Sequence, residues 1–249
     1  MTNNELKIYS SLKYKKHRQA QGLFLVEGLK VIEELLKSNF EIVKILSLEE
    51  VLNRLEIDNY SLIEQVNFKT LSRISNMKTS TDVIAIVKLP KPKLAEKTPK
   101  TILIDTIQDP GNLGTIIRTA HWFGFNQIIC SDNSVDLFNY KVIQASMGAV
   151  FKIKVSYVNL ENFIPQLQDN GFRILGAFMS GASIYDFKFS NNDIFILGNE
   201  GRGISTKIEK LIDQKITIPS FAKGDKTESL NISIAGAVIC SEMAKSFES

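Results

Sequence analysis

The feature that most constrains the fold is a regular alternation of short apolar runs and amphipathic segments over residues 100–249. The runs at 102–105, 127–130 and 194–197, which are apolar apart from Asp105 and Gln127, are predicted strands, and helical periodicity, as at 113–123, separates them. Strands that are apolar throughout and alternate with helices predict a parallel sheet covered on both faces. In such sheets, ligands bind at the loops beyond the carboxyl ends of the strands.

A proline- and lysine-rich stretch divides the chain into two predicted domains. Residues 89–100 contain three of the six prolines and show no amphipathic period, which is typical of a linker. We therefore predict an N-terminal domain at 1–90, a linker at 91–99 and a C-terminal domain at 100–249. The N-terminal part also alternates, which predicts a smaller α/β domain. Its predicted elements are helices at 27–37 and 68–77 and strands at 42–46, 61–66 and 83–87.

The composition excludes several classes of protein. The balance of 30 Lys and Arg against 27 Asp and Glu neither requires nor excludes an anionic partner. His17 and His121 have no second ligand at metal-binding spacing, so we expect no metal site. Cys130 and Cys240 lie in apolar runs, as buried thiols of a reducing compartment do. No apolar segment approaches the roughly 20 residues that cross a bilayer, and the first residues lack signal-peptide order, so we expect a cytoplasmic protein.

Glycines surround a carboxylate in the loop that follows the predicted strand 194–197. Gly198, Gly201 and Gly203 are spaced as the reverse of the dinucleotide fingerprint, and no Walker lysine follows them. The loop is therefore not predicted to cradle a phosphate. Glycines at a strand end allow the backbone to approach a ligand closely, and Glu200 adds a negative charge.

Two further loops carry polar side chains that face the same predicted edge of the sheet. In the loop at 105–115, Asn112 is a candidate helix cap, and Arg118 near the start of the following helix suits a phosphate or another anion. Ser229 and Asn231 precede the last helix and are equally good caps. The loops offer no Ser–His or Cys–His pair, which argues against hydrolysis through a covalent nucleophile.

These three loops resemble the three motifs of the SpoU (TrmH) family of RNA 2′-O-ribose methyltransferases, in the SPOUT superfamily. The matches are N-L-G-T-I-I-R at 112–118, L-G-N-E-G-R-G at 197–203, and I-P at 218–219 followed by S-L-N-I-S at 229–233. They occur in the order of the family and cover nearly all of residues 100–249. The run at 13–28 resembles the substrate-binding domain that many members carry, which is similar to a ribosomal RNA-binding protein. The loop at 220–228 is longer than the family pattern.

The resemblance implies an α/β protein whose C-terminal domain is a trefoil knot around a parallel sheet, with a smaller N-terminal RNA-binding domain. It also implies a homodimer with the active site near the interface, and S-adenosylmethionine as the cofactor. The residues that it places at the cofactor are Leu197, Gly198, Glu200, Gly203, Ile218 and Leu230. The residues that it places in the catalytic set are Asn112, Arg118, Glu200, Ser229 and Asn231.

RNA is the expected substrate, because a ribose 2′-hydroxyl distinguishes RNA from DNA. Lys13, Lys15, Lys16 and Arg18, with tyrosines interleaved, are candidate RNA contacts, and a solvated basic N-terminus is the alternative. An arginine is a poor base because its pKa lies above about 12. Our hypothesis is that Arg118 binds and orients a substrate phosphodiester and that the hydroxyl proton leaves through that pair.

Three alternatives remain open for the function. Ribosomal RNA is favoured over transfer RNA because of the separate N-terminal domain, an argument by analogy. A non-catalytic RNA-binding or ribosome-assembly protein of the same fold is the second alternative, which the intact candidate catalytic residues disfavour. A nucleotide-dependent oxidoreductase is the third, and the glycine order disfavours it.

Overall fold

The chain forms two compact units in the computed structural model, and each unit has its own sheet. The first unit comprises Met1–Lys91 and Asp136–Lys152, and the second comprises Pro92–Val135 and Ile153–Ser249. The structure describes residues 1–52, 54, 60–79, 81–224 and 228–247. The structural division differs from the predicted one in two respects. Residues 136–152 pack with the N-terminal part of the chain, and the predicted linker is divided, with Lys91 in the first unit and residues 92–99 in the second.

The helices and strands alternate along most of the chain. In chain order they are α1 (Asn3–Ser11), α2 (Lys15–Gln21), β1 (Leu23–Glu27), α3 (Leu29–Leu36), β2 (Ile42–Ser47), α4 (Glu49–Leu52), β3 (Ile63–Gln65), α5 (Phe68–Ile74), β4 (Val83–Lys88), β5 (Thr101–Ile104), α6 (Pro110–Trp122), β6 (Gln127–Ser131), α7 (Tyr140–Ser146), β7 (Lys154–Val158), α8 (Leu160–Asp169), β8 (Arg173–Ser183), β9 (Asp193–Leu197), α9 (Thr206–Glu209), β10 (Gln214–Thr217) and α10 (Ile232–Ala244).

The first unit is built on a sheet of order β1-β4-β2-β3, in which only the β2–β3 pair is parallel. Helices α1 and α5 cover one face, where Leu6 and Leu71 pack with Ile84 and Ile86 of β4. The sequence analysis assigned no helix to residues 3–11. Helix α1 forms there because Thr2 and Glu5 make a capping box at its start.

Residues 136–152 complete the first unit through an aromatic cluster and a buried ion pair. The ring centroids of Phe24 and Phe138 lie 4.5 Å apart. Arg18 is only 4% exposed, and its guanidinium donates to the carbonyl oxygens of Leu12 and Lys13 and pairs with Asp136. The prediction that Arg18 contacts RNA is therefore wrong for this arrangement, because the side chain is buried and both terminal nitrogens of its guanidinium are bound within the unit.

The second unit contains the predicted parallel sheet, with the order β10-β8-β9-β5-β6-β7 and all five strand pairs parallel. Both faces are covered, which explains why its central strands are apolar throughout. On one face Leu103 and Ile196 pack against α8 and α9. On the other, Leu197 lies 3.1 Å from the position of a Cβ on Gly236, in α10. The fold class predicted from the sequence is confirmed.

The central pair of this sheet, β5 and β9, places two of the predicted loops side by side. The amide of Asp105 donates to the carbonyl of Leu197 at 2.8 Å, so the strands run together to their carboxyl ends. Within the described ranges, no helix is long and apolar enough to cross a membrane. The same part of the chain holds no group of three or more side chains able to bind a metal ion.

Candidate active site

The glycine loop after β9 closes on itself. Asn199 and Gly203 exchange two backbone hydrogen bonds of 2.8 and 2.9 Å, and the side-chain oxygen of Asn199 accepts from the amides of Gly201 and Arg202. A Cβ on Gly198 would lie 2.2 Å from the carbonyl carbon of Gly203. The glycine at 198 is therefore required by the close approach of the loop's own backbone, and Gly203 is required by its φ of 69°.

The loop after β5 is fixed to its neighbour and starts helix α6. The carboxylate of Asp105 accepts from the amide of Ser205 at 2.8 Å, which ties the two loops together. Asp109, rather than Asn112, caps α6, because its side chain accepts from the amide of Asn112 at 2.8 Å and Pro110 occupies the first helical position. The prediction that Asn112 caps the helix was wrong, and its side chain is left free for another role.

Glu200 joins the three loops. Its Oε1 accepts from the backbone amide of Asp109 at 3.2 Å and from Nδ2 of Asn112 at 3.3 Å. The amide oxygen of Asn112 in turn accepts from Nδ2 of Asn231 at 3.1 Å. Asn231 also caps α10 through a 2.8 Å bond from the amide of Ser233, as predicted. Three of the predicted catalytic residues therefore form one hydrogen-bonded chain across three loops.

A cavity of about 610 Å³ lies at the same edge of the sheet. Its walls are formed by the glycine loop, the middle of β8, the end of β10 and the start of α10. All six residues predicted to contact a cofactor line it, namely Leu197, Gly198, Glu200, Gly203, Ile218 and Leu230. Ser229 of the predicted catalytic set also lines it. The volume is within the range of about 300–1,000 Å³ that is usual for small-molecule sites.

Strand β8 supplies a wall that the sequence analysis missed. Its residues 175–176 pair with 214–215 of β10, and 182–183 pair with 216–217, so the register shifts between these pairs. Ala177, Phe178 and Met179 lie in the shifted segment and line the cavity. Their position follows from the strand order, because β8 is adjacent to β9. That order is not readable from local sequence patterns.

Arg118 stands apart from this cavity in the single chain. It lies six residues after Asn112 on α6, about 9 Å along the helix axis, and is exposed. It is not among the residues that line the cavity. Within the described part of the chain its guanidinium makes no hydrogen bond or ion pair. The candidate RNA contacts Lys13, Lys15 and Lys16 are all exposed in the first unit.

Comparison with protein-family models covers most of the chain. Residues 99–241 match the model described as "SpoU rRNA Methylase family". Residues 3–85 match the model described as "MRM3-like substrate binding domain". The first match begins at the end of the proline- and lysine-rich stretch, and the second ends before that stretch.

Several known proteins align with nearly the whole length of this chain. The 23S rRNA (guanosine(2553)-2′-O)-methyltransferase RlmP of Bacillus subtilis is 31% identical over 95% of this chain and 94% of its own length. A structure from Porphyromonas gingivalis assigned to the TrmH family of RNA methyltransferases is 33% identical, with a TM-score of 0.88 and 98% of each chain covered. The AdoMet-bound rRNA methyltransferase of Sinorhizobium meliloti is 27% identical, with a TM-score of 0.84 over 98% of this chain and 95% of that one.

The predicted resemblance is thus confirmed by independent criteria. The motifs meet in space as the resemblance implied, the family model covers the sheet and loops that carry them, and full-length relatives share the order of both parts. This chain belongs to the SpoU rRNA methylase family.

Proposed function

We propose that this protein transfers the methyl group of S-adenosylmethionine to a ribose 2′-hydroxyl of ribosomal RNA. The observation that carries the proposal is the cavity lined by all six expected cofactor residues, beside the chain of Glu200, Asn112 and Asn231. The name of the B. subtilis relative and the AdoMet-bound S. meliloti structure support both the reaction and ribosomal rather than transfer RNA.

The residues around the cavity fit S-adenosylmethionine. Leu197, Ile218 and Leu230 offer apolar surface for an adenine ring, and the backbone of the closed glycine loop offers hydrogen-bonding groups. Glu200 places negative charge near a ligand that carries a positive sulfonium. When bound, S-adenosylmethionine supplies an electrophilic methyl group. We propose that these residues, with Gly198 and Gly203, hold it.

The hydrogen-bonded chain fixes the polar groups that would meet the substrate. Both ends of the Asn112 side-chain amide are engaged, the nitrogen by Glu200 and the oxygen by Asn231, so its orientation is set. Ser229 adds a hydroxyl on the cavity wall. We propose that this set would orient the ribose so that its 2′-oxygen lies in line with the methyl–sulfur bond of the cofactor, which would break and release the thioether as the carbon–oxygen bond forms. The hydroxyl proton would leave through the pair of Arg118 and a substrate phosphodiester.

Arg118 would act on the substrate phosphodiester. Its planar fork matches a phosphate bidentately, and its high pKa makes it a binder of anions rather than a base. If this fork geometry matters, Arg118→Lys should lose most of the methyl transfer although the charge is kept. Near-full activity of Arg118→Lys would contradict the role.

Arg118 does not line the cavity of its own chain. We therefore propose a homodimer in which Arg118 of a second copy reaches the cavity. Helices α6 and α10 pack together. Two observations support the proposal that a second copy of the chain covers their outer surface. Trp122 is 82% exposed, and Ile234, on a helix that is apolar on most sides, is 51% exposed. We propose the trefoil knot and a cytoplasmic location on the same family grounds.

The N-terminal domain, proposed at 1–90, would bind the RNA. Lys13, Lys15 and Lys16 are exposed, and the ring of exposed Tyr14 lies under the Lys13 ammonium. Tyr9, by contrast, is buried and offers no stacking surface. Changing the three lysines to glutamate should weaken RNA binding and reduce its salt dependence. An unchanged salt slope would count against these contacts.

The decisive experiment measures transfer of labelled methyl from S-adenosylmethionine to total RNA from cells that lack this protein. Wild type, Arg118→Ala and the control His121→Ala, an exposed change on the same helix, are compared, and the label is mapped to a nucleotide. We expect the wild type and His121→Ala to add a 2′-O-methyl group to ribosomal RNA and Arg118→Ala to add none. No label in any RNA, assembling ribosomal particles included, with cofactor binding intact would favour the ribosome-assembly alternative.

A further inference from the structure

Two aromatic side chains are exposed together beside the cavity. The rings of Tyr185 and Phe221 have centroids 6.0 Å apart and an interplanar angle of 36°. Tyr185 is 47% exposed and Phe221 is 80% exposed, so large parts of both rings face solvent. Met179, which lines the cavity, is also exposed. The proposed methyl transfer does not use this exposed aromatic surface.

The backbone places the pair at the cavity rim. The amide of Ile184 donates to the carbonyl of Thr217 at 3.0 Å, so Tyr185 follows directly on the end of the β8–β10 pairing. Ile218, the next residue after Thr217, lines the cavity. Phe221 comes three residues later and is therefore at most about 11 Å along the chain from the cavity wall. Both rings lie within reach of a nucleotide whose ribose enters the cavity.

The chemistry of the surface suits a nucleobase. Exposed aromatic rings grouped at the edge of a ligand site usually mark an interaction surface. Bases of unpaired RNA are recognised by stacking on aromatic rings, and such stacking tolerates any base. The segments that carry the rings also present exposed Lys188 and Lys223, which can contact a phosphate backbone, with Asp186 and Glu228 among their acidic neighbours in the sequence.

We propose that Tyr185 and Phe221 form a stacking platform for a base of the RNA substrate, either that of the methylated nucleotide or that of its immediate neighbour. The inference rests on the proposed methyl transfer to RNA. It assigns a role to part of the loop at 220–228 that is longer than the family pattern. A second copy of the chain seated on the same rings is the competing occupant, and the experiment separates the two.

The test compares substitutions that keep a ring with substitutions that keep only apolar bulk. The double variants Y185A/F221A and Y185L/F221L are set against Y185F/F221W, and Leu94→Ala serves as a control for an exposed apolar residue of the same unit. Three quantities are measured: KM for ribosomal RNA in methyl transfer, binding of a labelled single-stranded oligoadenylate by fluorescence anisotropy, and the affinity for S-adenosylmethionine. Light scattering gives the oligomeric state.

We expect both ring-free variants to raise the KM for RNA by about 10- to 100-fold and to weaken oligoadenylate binding, with cofactor affinity unchanged. The Phe/Trp variant should restore most of the loss. Leu variants that bind RNA as well as the wild type would overturn stacking, and dissociation of an oligomer in the ring-free variants would assign the surface to a second copy. If the wild type binds oligoadenylate through the rings yet methylates no RNA, the platform stands and the proposed reaction fails.

Discussion

Replacing Gly198 by alanine should disrupt the glycine loop. A Cβ there would lie 2.2 Å from the carbonyl carbon of Gly203 and 2.2 Å from the nitrogen of Ile204. Since carbon atoms in contact are normally about 3.5–4.0 Å apart, the loop must shift by more than about 1 Å. The shift would open the two backbone hydrogen bonds between Asn199 and Gly203. Overpacking costs about 1–3 kcal/mol and each of the two lost bonds about 0.5–1.5 kcal/mol, which together give roughly 2–6 kcal/mol.

Gly201 offers a matched control in the same loop. A Cβ at this position would meet only the side-chain oxygen of Asn199, at 3.8 Å, and the φ of Gly201 lies outside the left-handed region. Gly201→Ala therefore adds the same methyl group without overlap. We expect its stability and cofactor binding to match those of the wild type.

Calorimetric titration with S-adenosylmethionine and urea unfolding measure both variants. The loop shift in Gly198→Ala also moves Glu200 away from Asp109, so part of the destabilisation should weaken cofactor binding. If about 2 kcal/mol of it is lost from the free energy of binding, the affinity for S-adenosylmethionine falls about 30-fold. Unfolding shows whether the whole unit or only the loop is affected. Equal affinities for Gly198→Ala and Gly201→Ala would refute the reasoning.

Three further predictions concern buried and paired side chains. Arg18→Met should lower the free energy of unfolding by about 3 kcal/mol, because it leaves Asp136 without its partner, and an unchanged urea midpoint would contradict this. The hydrogen bond from Lys44 lowers the pKa of Glu5 to about 2, so this pair stabilises the fold above pH about 4.5 and ceases to do so as the pH falls through 2. The difference in free energy of unfolding between the wild type and Lys44→Met, measured by urea unfolding, should accordingly shrink as the pH falls over that interval. A difference that stays constant would exclude linkage to Glu5. Burial raises the pKa of Cys130 to about 12, so a thiol reagent at about pH 8 should react with it only after unfolding, and rapid reaction of the native protein would show that the site opens.

Local chemistry accounts for the part of the site that the sequence predicted. Apolar runs between helices identify the strands even when the pairing of those strands is unknown. The sequence therefore places the glycine loop correctly at the end of β9. Asn231 caps α10 as its residue type predicts. At α6 the predicted cap was Asn112, whereas the cap in the structure is Asp109, which directly precedes Pro110 at the first helical position.

Tertiary packing accounts for the part that was missed. The cavity wall at Ala177–Met179 depends on a register shift between β8 and β10, where a Cβ on Gly181 would lie 2.6 Å from the carbonyl oxygen of Lys215. No periodicity within a strand specifies its neighbour. Arg18 resembles an exposed cation by residue type, and its ion-pair partner Asp136 lies 118 residues away in the sequence, where no local pattern could identify it.

The dependence of the first unit on residues 136–152 has a consequence for synthesis on the ribosome. Phe24 and Arg18 emerge early, yet their partners Phe138 and Asp136 are added much later. The chain must grow by 61 residues, from 91 to 152, before that unit has all its parts. At about 5–20 residues per second this interval lasts roughly 3–12 s. The sheet of the first unit must therefore keep an uncovered aromatic surface during this interval, and its final packing follows the synthesis of β5 and β6, the first strands of the second unit.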